Sequence, residues 1–251
     1  MPGELAASYK SNSQRMRVVS KAWGEENLFC PGCDSPKLAR TRTNTRVVDF
    51  TCPACKSAFQ LKSQSKPLAS RLLDAGYEAM RRAIEADRTP NLLVLHCDSS
   101  KWQVHNLILV PRFAFTLSSV EARKPLSPTA RRKGYVGCFI VLANIPPEAK
   151  IRVVADGIAA SPATVRRQYD RLRPLERVKA EARGWTLDVL NVVRALGKPE
   201  FTLAEVYAFA AELARLHPGN RHVRDKIRQQ LQFLRDLGFV EFLGGGHYRA
   251  S

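Results

Sequence analysis

Residues 47–62 read VVDFTCPACKSAFQLK, two short apolar runs on either side of a Cys-x-x-Cys turn, which predicts a hairpin of two strands. Side chains two apart on a strand share a face, so Gln60 and Lys62 are expected to point to the same side. Asp49, on the facing strand, is expected to lie opposite them. An acid, a second oxygen ligand and a lysine in this arrangement can hold a metal ion and a water molecule. Taken alone, however, such a pattern is more often a solvated sheet face.

Four cysteines form a second pattern around the hairpin. Cys30, Cys33, Cys52 and Cys55 give the spacing C-x2-C-x18-C-x2-C, from which thiolates converge tetrahedrally on zinc. Two disulfides are the competing interpretation, but nothing in the sequence indicates export to an oxidising compartment. Because four thiolates leave no open position for water, the sequence predicts a structural zinc ion that fixes the two strands in register.

The composition favours a polyanionic partner. Forty Lys and Arg residues against 23 Asp and Glu give a formal charge of +17, for which nucleic acid is the commonest partner. A basic surface without a specific ligand is the alternative. We find no apolar run of bilayer length and no apolar signal stretch in residues 1–21. The sequence therefore predicts a cytoplasmic protein with no membrane partner.

Periodicity along the first two thirds of the chain predicts a mixed α/β (α+β) fold, a mixed sheet packed by helices. A helix is expected over residues 8–23, with Ser11 or Ser13 as its cap, and a second over residues 67–87, opened by Pro67. Near-continuous apolar runs predict buried strands in the same sheet. These strands are expected at residues 91–97, 102–110, 137–142 and 151–154.

A basic loop interrupts this pattern at residues 120–135. Its two prolines and its cluster of positive side chains suit contact with DNA phosphates, which gives salt-dependent affinity rather than sequence readout. An aromatic residue at its end is suited to stacking on a base or wedging into the duplex. A solvated basic loop is the alternative. The residues predicted to bind DNA here are Arg123, Lys124, Arg131, Arg132, Lys133 and Tyr135.

The end of the chain predicts a separate module. Residues 161–181 are polar and charged, typical of a linker or a loose helix, so we place a domain boundary between domains 1–181 and 182–251. Helices at 185–196, 202–216 and 223–237 followed by a hairpin at 239–249 are the elements of a winged helix. The alternative is that this winged helix contacts another protein instead of DNA. The third helix would read base edges with Arg224, Arg228, Gln229, Gln232 and Arg235.

Together these segments resemble the family of DpnI-like type II restriction endonucleases, over nearly the whole chain. Several of the shared motifs are specific to that family rather than to nucleases or winged helices at large. They are YKSNSQ at 9–14, VDF at 48–50 with Cys52, LKS at 61–63, PL at 125–126 with PTARR at 128–132, GWT at 184–186, FTL at 201–203 and KIRQQL at 226–231.

The resemblance implies a PD-(D/E)xK nuclease domain with a four-cysteine zinc site and a C-terminal winged helix. It also implies Mg²⁺-dependent cleavage of double-stranded DNA at sites with N6-methyladenine, within the tetranucleotide GATC (Gm6ATC). Asp49 matches the metal-binding aspartate, Lys62 matches the lysine near the attacking water, and the four cysteines match the zinc ligands. Gln60 stands where the family has glutamate, and Tyr135 stands where it has tryptophan.

The Gln60 departure leaves more than one function open. With Asp49 and Gln60 as magnesium ligands, the chain is expected to be a nuclease with weakened metal affinity. If Gln60 has abolished catalysis, the same architecture is a non-cleaving reader of N6-methyladenine or a decayed nuclease. A zinc-dependent histidine nuclease is a third possibility, for which His105-Asn106 is the suggestive pair. No dimerisation helix stands out, so a monomer is expected.

Overall fold

The computed structural model describes residues 1–42 and 47–251. Residues 43–46, part of a basic segment at 37–46 expected to lead into the Asp49 strand, lie outside the described residues. The described chain divides into two compact units with interleaved segments. Unit 1 is Met1–Ala69, Pro90–Arg112 and Pro147–Arg171, and unit 2 is Ser70–Thr89, Phe113–Pro146 and Leu172–Ser251.

Runs of strands are interspersed with helices along the chain, as in a mixed α+β fold. In chain order they are α1 (Asn12–Asn27), β1 (Ala39–Arg40), β2 (Phe50–Thr51), β3 (Ala58–Gln64), β4 (Arg71–Gly76), α2 (Tyr77–Glu85), β5 (Asn91–Asp98), β6 (Gln103–Val110), β7 (Val120–Ala122), β8 (Gly137–Val141), β9 (Ile151–Ala155), β10 (Ile158–Ala159), α3 (Pro162–Leu172), α4 (Ala180–Ala195), β11 (Glu200–Thr202), α5 (Leu203–Tyr207), α6 (Ala210–Leu216), α7 (Val223–Asp236), β12 (Val240–Gly244) and β13 (His247–Ala250).

Unit 1 is built on a mixed sheet in the order β1-β2-β3-β5-β6-β9-β10. The β3–β5 pair is parallel and the other pairs are antiparallel. Leu92, Leu93, Val94 and Leu95 of the central strand β5 are all buried, because helices and loops cover both faces of the sheet. The mixed sheet and the doubly buried strand at 91–97 are therefore confirmed.

Helix α1 packs on the sheet of unit 1. It begins at Asn12, four residues later than expected, and runs on to Asn27. Ser11 occupies the cap position, but its hydroxyl bonds Ser13 and makes no cap bond to the helix backbone. Met16 and Val19 are buried, and Met16 Sδ lies 3.3 Å from Cys97 Sγ of β5. The apolar face of α1 therefore fixes the helix against the strands beside the hairpin.

Unit 2 contains a second sheet, in the order β4-β8-β7. The single helix predicted at 67–87 is wrong over its first half, where Arg71–Gly76 forms β4 and pairs antiparallel with β8. Pairing with a strand so distant in sequence overrides the local helical pattern. The strand predicted at 137–142 exists as β8, but in this sheet and not in the large one. Strand β9, by contrast, does join the large sheet.

The last part of unit 2 has the helices and hairpin of a winged helix. Residues 161–181, predicted as a linker or loose helix, are helical over most of their length: they form α3, a 3₁₀ segment at Arg173–Arg177 and the start of α4. The helix expected at 202–216 is split into α5 and α6, while α7 and the β12–β13 hairpin follow the prediction closely.

The sequence domains 1–181 and 182–251 remain a prediction, since unit 2 contains segments of both. Nowhere in the described ranges is a helix long and apolar enough to cross a membrane.

The sequence Thr202-Leu-Ala-Glu205 has the capping-box spacing, which predicts a helix start at Thr202, and the structure confirms it. Thr202 Oγ1 accepts a hydrogen bond from Glu205 N at 3.3 Å, and Thr202 N donates to Glu205 Oε2 at 2.8 Å. An ion pair with Lys198, together with the Thr202 hydrogen bonds, lowers the pKa of Glu205 to about 2. The start of α5 is therefore fixed by local contacts that the sequence pattern predicts.

Buried polar contacts tie α4 into unit 2. Arg183 is 1% exposed, and its guanidinium donates to Asp87 Oδ1 at 2.7 Å and to Val178 O at 3.0 Å. Further along α4, Thr186 donates to Gln230 of α7 at 2.6 Å. Burying a guanidinium without a partner costs folding free energy. The Asp87 carboxylate offsets this cost by pairing with the Arg183 charge.

Candidate functional site

The four clustered cysteines converge at one point of unit 1. Their Sγ atoms all lie within 4.8 Å of one another, with Cys30 3.6 Å from Cys55 and Cys33 3.5 Å from Cys52. These separations are much longer than a disulfide of about 2.05 Å, and all are free thiols, so the disulfide alternative is wrong. Thiolates at about 2.3 Å from zinc lie ~3.8 Å apart. The cluster therefore fits a structural zinc ion.

The thiols of this cluster differ in acidity. Burial raises the pKa of Cys30 far above that of an ordinary thiol. Burial also acts to raise the pKa of Cys52, but the N–H groups of Cys55 and Ala54 donate to its sulfur and bring the pKa down to about 6. Zinc ligation requires thiolates, so a bound ion supplies the positive charge that the buried Cys30 needs.

The four-cysteine cluster includes the turn of the β2–β3 hairpin, through Cys52 and Cys55. Phe50 pairs with Phe59 and Thr51 with Ala58, and Asp49 N donates to Phe59 O at 2.8 Å. This bond is one residue out of the Phe50–Phe59 and Thr51–Ala58 register, so the antiparallel ladder is irregular at Asp49. Gln60 and Lys62 lie two residues apart on β3 and share a face, and both are half-buried. The structure therefore pairs Asp49 with the strand that carries Gln60 and Lys62.

The Asp49 carboxylate already has two partners. Its Oδ2 accepts a hydrogen bond from Leu61 N at 2.8 Å, just past the end of the β2–β3 ladder. Its Oδ1 lies 2.5 Å from Lys21 Nζ of α1. The side chain of Asp49 is 15% exposed and that of Lys21 is 23% exposed. Sequence reasoning missed Lys21, because nothing in the α1 pattern indicates that one of its cations meets the Asp49 strand.

The donor types at this hairpin fit a magnesium ion. Mg²⁺ prefers oxygen ligands, and it often keeps several waters while using one or two carboxylates plus substrate phosphate oxygens. Asp49 would supply a carboxylate and Gln60 a neutral amide oxygen, so an ion held there would meet one charged protein ligand.

The predicted basic loop is an exposed extension of the β7–β8 hairpin in unit 2. Its backbone is closed by Leu126 N to Tyr135 O at 3.0 Å and by Gly134 N to Leu126 O at 3.2 Å. The Arg132 guanidinium stacks over the half-buried Tyr135 ring at 3.9 Å from its centroid. The side chains left exposed on the loop are Arg123, Lys124, Arg131, Arg132 and Lys133.

The exposed face of α7 also lies on unit 2. Ile227, Leu231 and Leu234 are fully buried, and Gln230 is buried against Thr186, so the other polar residues between them face outward. A groove of about 310 Å³ runs between α7 and the β12–β13 hairpin, with an apolar floor that includes Phe242 and Tyr248. Its polar rim consists of Arg228, Gln232 and Arg235. The remaining predicted readers of this helix, Arg224 and Gln229, are exposed as well.

The histidine-nuclease pair lies elsewhere in unit 1. His105 and Asn106 are on β6, which is separated from β3 by β5. The His105 ring packs against His96 at 5.1 Å between centroids, and burial together with His105 lowers the pKa of His96. Among the described residues, the metal-ligating side chains that come together in a group of three or more are those of the four cysteines. The pair does not form a zinc site of its own.

Two family profiles match this chain. The profile of the Dam-replacing family, DpnI, matches residues 1–178, and that of the Dam-replacing HTH domain matches residues 181–250. The first alone spans more than two thirds of the sequence, and it contains the four-cysteine cluster and the Asp49 hairpin. The chain therefore belongs to the Dam-replacing, or DpnI, family of methylation-dependent restriction nucleases, with that family's HTH domain at its C-terminus.

Proposed function

We propose that this protein cleaves double-stranded DNA at sites containing N6-methyladenine, with the tetranucleotide GATC as the methylated site and Mg²⁺ as the catalytic ion. The observation that carries the proposal is the β2–β3 hairpin. There, Asp49 donates its N–H to Phe59 O and accepts from Leu61 N through its carboxylate, both on the strand that also carries Gln60 and Lys62. Two of the four clustered cysteines, Cys52 and Cys55, lie in the turn.

In this proposal each site residue has a separate task. Asp49 and the Gln60 amide oxygen hold the metal ion beside the scissile phosphate. The Lys62 ammonium orients the attacking water and offsets negative charge on the phosphate. When bound, Mg²⁺ supplies Lewis-acid activation of water and stabilises the charge of the transition state. The zinc cluster takes no part in the chemistry, because it offers no open position.

Recognition is assigned to unit 2. The exposed cations of the basic loop supply phosphate contacts, which are independent of sequence. The Arg and Gln side chains of α7 supply base-edge contacts in the major groove. The groove beside α7 combines an apolar floor with a polar rim, and this combination suits a base that carries an extra methyl group. Tyr135 retains an aromatic ring at the position where the family has tryptophan.

A non-cleaving reader is the second candidate function. Two features favour it: Gln60 is neutral, and both oxygens of the Asp49 carboxylate are engaged, by Lys21 and by Leu61 N. A reader keeps methyl-dependent binding but has no phosphodiester hydrolysis.

A digest of paired plasmids separates the two candidates. With Mg²⁺, the wild-type protein is expected to cut adenine-methylated plasmid and to leave unmethylated plasmid intact. Asp49→Ala and Lys62→Ala are each expected to lower the cleavage rate by about 10²–10³-fold, since each removes a charge from the transition-state environment. Methyl-dependent binding, measured by mobility shift, should persist in both variants.

Lys66→Ala serves as the matched control for Lys62→Ala, because Lys66 is exposed and lies just beyond β3. Methylated plasmid that is bound but never cut, both by the wild type and by Gln60→Glu, would contradict the proposal in favour of the reader. Cutting that appears only in Gln60→Glu would identify a decayed nuclease.

Removing cations from the basic loop is expected to weaken DNA binding without changing methyl selectivity. Arg131→Gln with Lys133→Gln should lower the affinity for methylated and unmethylated duplexes by the same factor. It should also reduce the slope of log K against log salt by about 1.8, since each phosphate contact contributes about 0.9. Arg132 is left in place because it stacks on Tyr135. Fluorescence anisotropy at several salt concentrations measures both quantities.

A second double variant, Lys37→Gln with Lys101→Gln, removes the same charge from exposed positions of unit 1 and should leave the salt slope nearly unchanged. Equal slopes for all three proteins would show that the loop does not contact phosphates.

A further inference from the structure

The Lys21–Asp49 ion pair has no counterpart in the predicted site. Lys21 belongs to α1, and this helix lies against β3, where Ser20 Oγ is 3.0 Å from Ser63 Oγ. The packing of α1 thereby holds the Lys21 ammonium against Asp49 Oδ1 at 2.5 Å. Both side chains are largely withdrawn from water, so their attraction is stronger than that of an exposed surface pair.

The charges at the hairpin explain why this contact matters. Among the side chains of Lys21, Asp49, Gln60 and Lys62, Asp49 supplies the one negative charge, while the two lysines are cations and Gln60 is neutral. The four side chains therefore sum to +1. A divalent cation that approaches Asp49 meets Lys21 already on Oδ1 and the Leu61 N–H on Oδ2.

We propose that Lys21 is a positioning residue that occupies the place on Asp49 that the divalent metal ion would take, so that metal binding requires Lys21 to leave. This inference rests on the proposed function in one respect, the assignment of Asp49 as the metal ligand. Lys21 keeps the carboxylate oriented while no metal is bound, and its departure sets the apparent metal affinity.

The Lys21 side chain is suited to this role. Lysine carries a compact ammonium on a flexible four-carbon stem and makes no fixed bidentate contact, so it can leave without moving its helix. Its side chain retains 23% exposure, which gives the ammonium a path to water. The Leu61 N–H bond, by contrast, belongs to the strand backbone and keeps Asp49 in place after Lys21 has moved.

Titration of Mn²⁺ alone into the full-length, zinc-loaded protein tests the proposal without DNA or turnover. Free Mn²⁺ is followed by its electron paramagnetic resonance signal. Lys21→Gln is expected to bind Mn²⁺ at least tenfold more tightly than the wild type, because it removes the competing cation and keeps a side chain of similar length. Adding Asp49→Asn to Lys21→Gln should abolish the gain.

Arg17→Gln is the matched control, since Arg17 is exposed one turn earlier on α1 and carries the same charge. Its Mn²⁺ affinity should stay within twofold of the wild type. Lys21→Met provides a second neutral variant, and circular dichroism melts verify that each variant is folded.

The proposal is overturned if folded Lys21→Gln and Lys21→Met bind Mn²⁺ no more tightly than Arg17→Gln. It is equally overturned if the gain survives Asp49→Asn, because the ion then binds elsewhere. Failure of the proposed function is a separate result: a protein that gains Mn²⁺ affinity through Lys21→Gln but never cuts methylated plasmid supports the role of Lys21 and contradicts cleavage.

Discussion

Cys52→Ser is expected to abolish zinc binding and to lower the free energy of unfolding by several kcal/mol. A structural zinc contributes about 10–16 kcal/mol of binding free energy in small zinc domains, and losing even a third of that amounts to about 3–5 kcal/mol. Cys52 lies three residues after Asp49 and immediately after β2. The loss should therefore loosen the β2–β3 hairpin first.

Zinc content and thermal unfolding check this expectation together. The wild type should carry one zinc per chain by elemental analysis, and a chelator should lower its melting temperature. Cys97→Ala is the control, since Cys97 is fully buried next to Met16 and outside the cluster. It should keep one zinc per chain despite a small packing loss. A Cys52→Ser protein with full zinc and unchanged melting would show that the cluster is not a structural metal site.

Asp87→Asn is expected to lower the free energy of unfolding by about 2–4 kcal/mol. The substitution leaves the Arg183 guanidinium, 1% exposed, without its carboxylate partner, and breaking such a buried pair typically costs 3–5 kcal/mol. We place the expected loss somewhat lower, because Asp87 is 35% exposed and an asparagine oxygen still accepts a hydrogen bond. Asparagine also tolerates the positive φ of 54° at this position.

Urea unfolding of matched variants measures this loss. Glu200→Gln removes a carboxylate from an exposed pair with Arg249 at 2.9 Å, and it should change stability by less than about 1 kcal/mol. Arg183→Met combined with Asp87→Asn should lose less than the sum of the two single changes, since the double variant buries no unpaired charge. If Asp87→Asn unfolds at the same urea concentration as Glu200→Gln, the buried pair contributes little.

The elements that the sequence predicted well are those governed by local rules. The Cys-x-x-Cys turn, the capping box at Thr202 and the buried strand β5 each follow from spacing and hydrophobicity within a few residues. Strand β4 was wrongly predicted as helix because its partner β8 lies more than sixty residues away in the sequence. A local sequence pattern does not indicate a pairing over that distance. The same reason explains why a strand at 137–142 was assigned to the wrong sheet.

The candidate site shows the same division. The pairing of the Asp49 segment with β3 follows from the two apolar runs around the Cys-x-x-Cys turn, whereas the irregular register at Asp49 does not. Lys21 meets Asp49 only because α1 packs across the sheet, and a sequence pattern does not specify which helix side chain reaches which strand. The predicted roles of the loop and α7 side chains in DNA binding stay predictions, although both sets are exposed on unit 2.

The interleaved order of the two units has a consequence for how a newly made chain matures. Unit 1 needs nothing beyond Arg171, whereas unit 2 requires the chain as far as Ser251. Because synthesis runs from the N-terminus, every residue of the unit that carries the Asp49 hairpin is made before α7. Under the proposed function, each nascent molecule acquires the residues of its hydrolytic unit before those of its selective helix.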